Sequence, residues 1–197
     1  MLASFSDIGL RFLVAGYVVI AAFFVVQRLL RKTEGAKSFH GGPYDRGNML
    51  LVGFATGLGL WLPIMVQVLG IAIFQFNVVA CLVALAVMLL GVGLRVWAAV
   101  SLGAFYTTTL MVTEGQRVVT SGPYTLVRHP GYLGEILLWA AFGVLSESLV
   151  VVILLPLMFI AVYLYRISAE EVMLASELGD DYLQYQKRTR KLVPLVY

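Results

Sequence analysis

Residues 47–94 read GNMLLVGFATGLGLWLPIMVQVLGIAIFQFNVVACLVALAVMLLGVGL, without one charged side chain between Arg46 and Arg95. A helix needs about 20 apolar residues to cross the hydrocarbon of a bilayer. The stretch therefore holds two spans, at about Asn48–Gln67 and Val78–Trp97, parted by a polar break at Gln75 and Asn77. In lipid, backbone N–H and C=O groups must be satisfied within the segment, which makes helix the form for such runs. The class that follows is all-α: an integral membrane helical bundle.

Upstream, an apolar run from Phe12 to Leu30 reads as a further span. It reads as a retained first span rather than a signal peptide, because its basic region is thin (Arg11, with Asp7 nearby) and its apolar core runs on to Leu30 without a convincing cleavage site. Downstream come two shorter runs, Tyr132–Leu145 and Leu149–Tyr165, separated by Ser146-Glu147-Ser148. They predict a helical hairpin, giving about five transmembrane segments in all. Residues 1–94 then form three N-terminal transmembrane helices, and residues 95–197 a catalytic region, within one membrane domain spanning residues 1–197.

Of the chain's 197 residues 60% are hydrophobic and only 13% are charged, and the net charge is +3. The basic side chains flank apolar runs rather than forming a continuous stripe, which argues against nucleic acid as a partner and for lipid headgroups. Arg28, Arg31, Lys32, Lys37 and Arg46 follow the first span, and Lys187, Arg188, Arg190 and Lys191 lie near the end. Cytoplasmic loops carry the excess of Lys and Arg. The pattern places the N-terminus outside, the C-terminus in the cytoplasm and the polar clusters on the cytoplasmic side.

After Tyr165 the periodicity changes. Leu174, Leu178, Tyr182 and Tyr185 form the apolar stripe of amphipathic helices, with a break at Gly179 before Asp180-Asp181. Gly53 and Gly57 have the Gly-x-x-x-Gly spacing that allows close approach of membrane helices. Gly57-Leu58-Gly59 and Gly91-Val92-Gly93 read as packing sites too, since neither follows a strand as a nucleotide loop would. Cys81 is the only cysteine, so no disulfide within the chain and no multi-cysteine metal site is possible.

The polar chemistry is concentrated in two places. Residues 122–134 read GPYTLVRHPGYLG, which joins His129, Arg128, Tyr124 and Tyr132 with punctuating glycines and prolines. Pro123 and Pro130 disfavour helix at the preceding residue, so Gly122 and His129 are expected to be extended, in a loop with free backbone groups. His129 is either a structural histidine or a ligand contact; with His40 as the only other histidine, in a distant loop, a metal site has little support. The second place is Arg166 with Glu170 and Glu171. Arg166 and Glu170 share a helix face, which suits an intrahelical ion pair. An ionisable residue closing an apolar run is equally a functional candidate.

In order, these elements are Arg95 with Leu102-Gly103 and Tyr106; Val119 to Tyr124; Arg128-His129-Pro130-x-Tyr132-x-Gly134; Arg166-x-x-x-Glu170-Glu171; and Gly179-Asp180-Asp181-Tyr182-x-x-Tyr185 before Arg188 and Pro194. In this combination the stretch from Arg95 to Pro194 resembles the isoprenylcysteine carboxyl methyltransferase family, which is related to membrane phospholipid methyltransferases. The resemblance implies S-adenosyl-L-methionine as cofactor, held by Gln116, Arg117, Val118, Val119, Tyr124, His129, Pro130, Gly131, Tyr132 and Glu170. It puts Arg166 at the substrate carboxylate as the catalytic residue, with no metal. The implied activity is protein-S-isoprenylcysteine O-methyltransferase, its partners being the bilayer and a lipophilic, prenylated cysteine.

That chemistry is coherent. A C-terminal carboxylate is already ionised at neutral pH and needs no base, so the protein has only to desolvate and align it. Three rivals stand beside this reading: a phospholipid N-methyltransferase, which needs a neutral amine; a nicotinamide-dependent membrane reductase; and a membrane scaffold or transporter, which would be expected to carry polar residues within spans that here hold almost none.

Overall fold

The computed structural model describes residues 7–30, 44–71 and 74–193. Arg31, Lys32, Lys37, His40 and Pro194 lie outside the described residues. The elements are α1 (Asp7–Leu30), α2 (Asn48–Leu69), α3 (Val78–Leu102), α4 (Pro130–Leu145) and α5 (Leu149–Arg188), with short 3-10 turns at Gly103–Phe105 and Gly122–Thr125. No strand occurs among the described residues, as the apolar runs demand. Among the described residues four helices are long and apolar enough to cross a membrane, Ile8–Leu30, Asn48–Leu69, Val78–Phe105 and Leu149–Arg188, and the other expected segment is the shorter apolar helix Pro130–Leu145. The chain is an integral membrane helical bundle.

Local chemistry sets the helix ends. Gly70 ends α2 in the left-handed region (φ 66°), where its N–H reaches the carbonyls of Gln67 and Val66. Asn77 caps α3, its side chain accepting the Ala80 N–H at 2.8 Å. Pro130 opens α4 at a position where a missing N–H costs nothing. The last apolar run continues beyond Tyr165, so span and amphipathic stripe form one helix up to Gly179 (φ 56°), where the axis breaks. The piece beyond the break buries Tyr182 and Tyr185 and exposes Lys187 and Arg188.

α4 is the buried centre. Trp139, Phe142 and Leu138 on it are 1%, 0% and 0% exposed, and Trp139 stacks on Phe159 of α5 at 4.5 Å between centroids. α1 to α3 instead turn large apolar side chains outward, Leu50, Val18 and Leu90 among them. A water-facing protein does not present such a surface; a lipid-facing one requires it.

The tightest approach is α3 against α4. A Cβ added at Gly91 would meet the Gly134 carbonyl oxygen at 2.5 Å, and one added at Gly134 would meet that of Gly91 at 2.5 Å. Gly59 of α2 is likewise pressed on the Trp139 ring. Gly53 and Gly57, by contrast, have open space where a Cβ would stand, with nothing within 4 Å, so the Gly-x-x-x-Gly pair does not join helices within this chain. Spacing identifies a small-residue face but not the direction in which it points.

The turn Ser146-Glu147-Ser148 is buried rather than exposed at the tip of the hairpin. Gln67 Nε2 donates to the Ser146 carbonyl at 2.5 Å and Phe74 N–H to that of Glu147 at 2.8 Å. The α2–α3 connection thereby covers the turn, and α1 reaches it at Gly9, where an added Cβ would overlap the Glu147 carboxylate. Buried backbone carbonyls need such partners.

Gly91→Ala or Gly134→Ala is expected to force α3 and α4 apart and cost about 1–3 kcal/mol, the usual range for overpacking. Gly57→Ala should be neutral. Thermal unfolding of detergent-solubilised variants measures the contrast.

Candidate active site

A cavity lies where the C-terminal end of α3, the loop that follows it, the first turn of α4 and the second half of α5 meet. Gln116, Arg117, Val118 and Val119 line it from the loop, and Tyr124 from the 3-10 turn. His129, Gly131 and Tyr132 line it from the start of α4, and Arg166 and Glu170 from α5. The one expected residue not on its wall is Pro130, which is buried in the first turn of α4. Gln116 uses its side chain locally, accepting the Thr113 N–H at 2.8 Å across the turn at Gly115. Gly122 is not extended: its φ is 62°, and a Cβ there would meet Ser101 Oγ at 2.5 Å. Glycine is needed at this point for both reasons.

Tyr132 is the hub. Its hydroxyl donates to Glu170 Oε2 at 2.6 Å and accepts from Arg166 Nε at 2.9 Å. Its ring lies 5.7 Å from the guanidinium carbons of both Arg95 and Arg166, and stacks on His129 and Tyr163 at 5.7 and 5.0 Å. Cationic groups over an aromatic face are attracted by its quadrupole. Arg166 also donates through Nη2 to the Thr108 carbonyl at 2.7 Å. Arg166 and Glu170 therefore do not make the direct helical ion pair that their spacing allows; a tyrosine hydroxyl stands between them. Among the described residues Arg166 forms no ion pair at all, although only 6% of it is exposed.

Glu171, the next residue, has a different task. Its Oε1 accepts from Arg128 Nε at 2.8 Å and lies 3.3 Å from His129 Nε2, while Oε2 is 3.5 Å from Lys191 Nζ. Arg128 Nη1 also donates to the carbonyls of Gln186 and Thr189. Backbone pairing completes the clamp: Arg128 N–H to Arg190 O at 2.7 Å and His129 N–H to Lys191 O at 3.0 Å. This arrangement ties the chain's last described stretch to the opening of α4. His129 is thus both a clamp member and a wall of the cavity. Lys191, whose place in a basic tail suggests a headgroup contact, instead serves the clamp.

Sequence reasoning leaves several residues of the site unassigned. Arg95 lies 3.0 Å from Glu135 Oε1, and Tyr163 donates to the other oxygen of Glu135. A Cβ on Gly131 would meet Arg95 Nη1 at 2.5 Å, which explains the glycine between Pro130 and Tyr132. Tyr182 and Tyr185 reach the cavity from beyond the Gly179 break, and Thr109 from the loop after α3. The apolar stripe running through Tyr182 and Tyr185 is the available signal for that pair; nothing local marks Thr109. Burial pushes the Tyr124 phenol well above its ordinary range, with Arg95 acting in the opposite sense, so Tyr124 meets a ligand as a neutral group.

The chain is similar to several known proteins. Residues 82–176 match the family model described as the isoprenylcysteine carboxyl methyltransferase family. The chain is 34% identical over 109 residues to a protein-S-isoprenylcysteine O-methyltransferase of Schizosaccharomyces pombe, covering 48% of this chain and 46% of that one. It is 32% identical over 145 residues to the cobalt-zinc-cadmium resistance protein CzcN of Cupriavidus metallidurans, covering 74% and 56%. The chain thus spans about half the length of these two curated relatives. A solved eukaryotic intramembrane Ras methyltransferase shares the fold, with a TM-score of 0.65 and 17% identity over 99% of this chain and 70% of the other. The family match covers most of α3, all of α4 and most of α5, and over that stretch the chain is similar to the isoprenylcysteine carboxyl methyltransferase family.

Proposed function

We propose that this chain is a membrane methyltransferase that uses S-adenosylmethionine to esterify the C-terminal carboxylate of a prenylated cysteine. The observation that carries the reading is Arg166. It is a buried guanidinium anchored by two neutral acceptors, the Tyr132 hydroxyl and the Thr108 carbonyl, with no carboxylate paired to it among the described residues. Glu170 acts on Arg166 only across the Tyr132 hydroxyl, and a buried charge without a directly paired counter-ion is costly. An anionic acceptor supplies the missing charge, whereas the neutral amine of a phospholipid would not.

The wall also suits the methyl donor. Tyr182 Oη and Thr109 Oγ1 belong to cavity-lining residues, and both atoms are buried without a hydrogen-bond partner. Glu170 lines the cavity, and the Tyr132 hydroxyl steadies its Oε2. An acidic oxygen, two neutral hydroxyls and apolar walls match a ligand that combines a cation, sugar hydroxyls and a flat base. Val118, Val119, Tyr124, His129, Gly131, Tyr132 and Glu170 would hold it, with Gln116 and Arg117 at the rim. When bound, it supplies an electrophilic methyl group on a sulfonium. The protein's own task is positional: Tyr132 fixes the guanidinium of Arg166, Arg166 orients the carboxylate, and the apolar walls exclude water. An ionised carboxylate requires no general base.

Arg166→Ala is expected to abolish most turnover with a small prenylcysteine while leaving S-adenosylhomocysteine affinity within about threefold. Arg166→Lys should rescue poorly, since a point charge cannot replace the planar fork. Turnover by Arg166→Ala at the wild-type rate would remove the carboxylate role.

The two glutamates should separate. Glu170→Ala is expected to weaken S-adenosylhomocysteine binding by about 1–3 kcal/mol, as for a lost charge-assisted bond. Glu171→Ala should instead lower thermal stability by about 3 kcal/mol, because it leaves Arg128 without its carboxylate partner. Isothermal titration and thermal unfolding measure the two effects. Equal effects of both substitutions on both measurements would contradict the assignment.

The positive-inside pattern of the basic residues supports a site on the cytoplasmic side. An impermeant thiol reagent added from outside should reach a cysteine at Leu149, which is exposed where Glu147 is buried. It should not reach one at Lys187, and the reverse result would invert the orientation.

A further inference from the structure

The buried face of α1 runs through Leu13, Gly16, Ile20 and Phe23 to Gln27, at the three- and four-residue spacing of a helix. Gln27 is its polar member and only 6% of it is exposed. Packing alone would be served by an apolar side chain, and a buried amide in a membrane helix is costly unless it finds a hydrogen-bond partner. The partner is Tyr106, whose hydroxyl donates to Gln27 Oε1. Tyr106 is buried, lines the cavity and stands at the start of the loop after α3. The same hydroxyl accepts from Arg95 Nη2 at 3.4 Å. Its proton is thus committed to α1 and its lone pair to α3, so both helices tie down one point of the loop.

Two residues further along lies Thr108, whose carbonyl accepts from Arg166 Nη2 at 2.7 Å. The guanidinium's other anchor among the described residues is the Tyr132 hydroxyl, 2.9 Å from Nε. One of the two hydrogen bonds that aim Arg166 therefore depends on where the loop is fixed. The other charged groups of this wall act elsewhere. Glu135 lies 3.0 Å from Arg95 Nε, Glu170 reaches Arg166 only across the Tyr132 hydroxyl, and Arg117 is exposed at the rim.

We infer that Gln27 is a positioning residue for the carboxylate site: through Tyr106 it fixes the loop segment whose Thr108 carbonyl orients Arg166. The inference rests on the proposed function and adds to it a residue of α1, a helix outside the matched stretch 82–176. The tether bears on the acceptor rather than on the methyl donor. The loop's other wall, Gln116 to Val119, begins ten residues beyond Tyr106 and is stiffened by its own turn, in which Gln116 N–H donates to the Thr113 carbonyl at 3.0 Å and Gln116 Oε1 accepts the Thr113 N–H at 2.8 Å.

The test is Gln27→Met, which keeps the side chain's length and removes its acceptor. Binding of a small prenylcysteine is compared with binding of its carboxamide, which has the same tail and no carboxylate charge, in protein saturated with S-adenosylhomocysteine. Wild-type protein should prefer the carboxylate. Gln27→Met should weaken carboxylate binding about five- to tenfold, the effect of one hydrogen bond. Carboxamide binding and S-adenosylhomocysteine affinity should stay within about twofold. Tyr106→Phe breaks the same contact from the other side, should reproduce the split, and carries the comparison alone if Gln27→Met does not fold. The double variant should lose about as much as Tyr106→Phe, because the two residues act along one path. A merely structural contact predicts equal weakening of carboxylate and carboxamide, and that result would overturn the inference. So would additive losses in the double variant, or an unchanged preference for the carboxylate in both single variants. If wild-type protein binds the two acceptors alike, the carboxylate role of Arg166 itself is wrong, and the tether falls with it.

Discussion

The backbone contact between α3 and α4 governs the rest of the structure. Gly91 and Gly134 let the two helices touch with no side chain between them. Residues one turn away on each helix are then forced together. Arg95 stands four residues beyond Gly91, and Gly131 three before Gly134, so the Arg95 guanidinium comes to rest over Gly131 and the Tyr132 ring. In lipid no hydrophobic driving force separates one apolar partner from another, and close packing of small residues decides which helices meet. The cavity is placed by two hydrogen atoms where side chains would otherwise be.

Around that contact the buried charges divide into those that hold the fold and one that remains available. Successive residues on a helix point about 100° apart, and the neighbouring glutamates use this. Glu170 turns to Tyr132 and the cavity, Glu171 to Arg128 and the terminal stretch. Arg95 is compensated by Glu135 and Arg128 by Glu171. Among the described residues Arg166 donates only to neutral groups, with Glu170 beyond the Tyr132 hydroxyl. Charge pairing secures the walls, while the cation inside them has no directly paired carboxylate among the described residues.

Class and span positions are readable from the sequence because they depend on runs of one kind of residue. The helix that breaks at Gly179 and the inward stripe of Tyr182 and Tyr185 are readable for the same reason: both are local patterns. The pairing of Arg128 with Glu171 joins residues 43 apart, and nothing in either neighbourhood records it. The glycines show the limit most plainly. Gly53 and Gly57 have a recognised packing spacing and touch nothing, whereas Gly91 and Gly134 sit in separate helices and make the central contact. Pro123 alone predicts an extended Gly122, but the positive φ found there follows from the 3-10 turn it begins and from Ser101 beside it. Sequence patterns report what a segment does with its own neighbours; the site arises where distant segments cross.

The short parallel pairing of Val127 with Arg190, and the clamp built around it, carries a consequence for biosynthesis. Chains fold from the N-terminus as they are made, and here α1 to α3 are complete by Leu102, well before residues 182–192 are added. Until then the cavity lacks Tyr182, Tyr185 and the backbone that Arg128 and His129 pair with. A nascent chain thus holds three apolar helices before it has a closed site, and residues 182–192 are a late-made part of the pocket wall and its clamp.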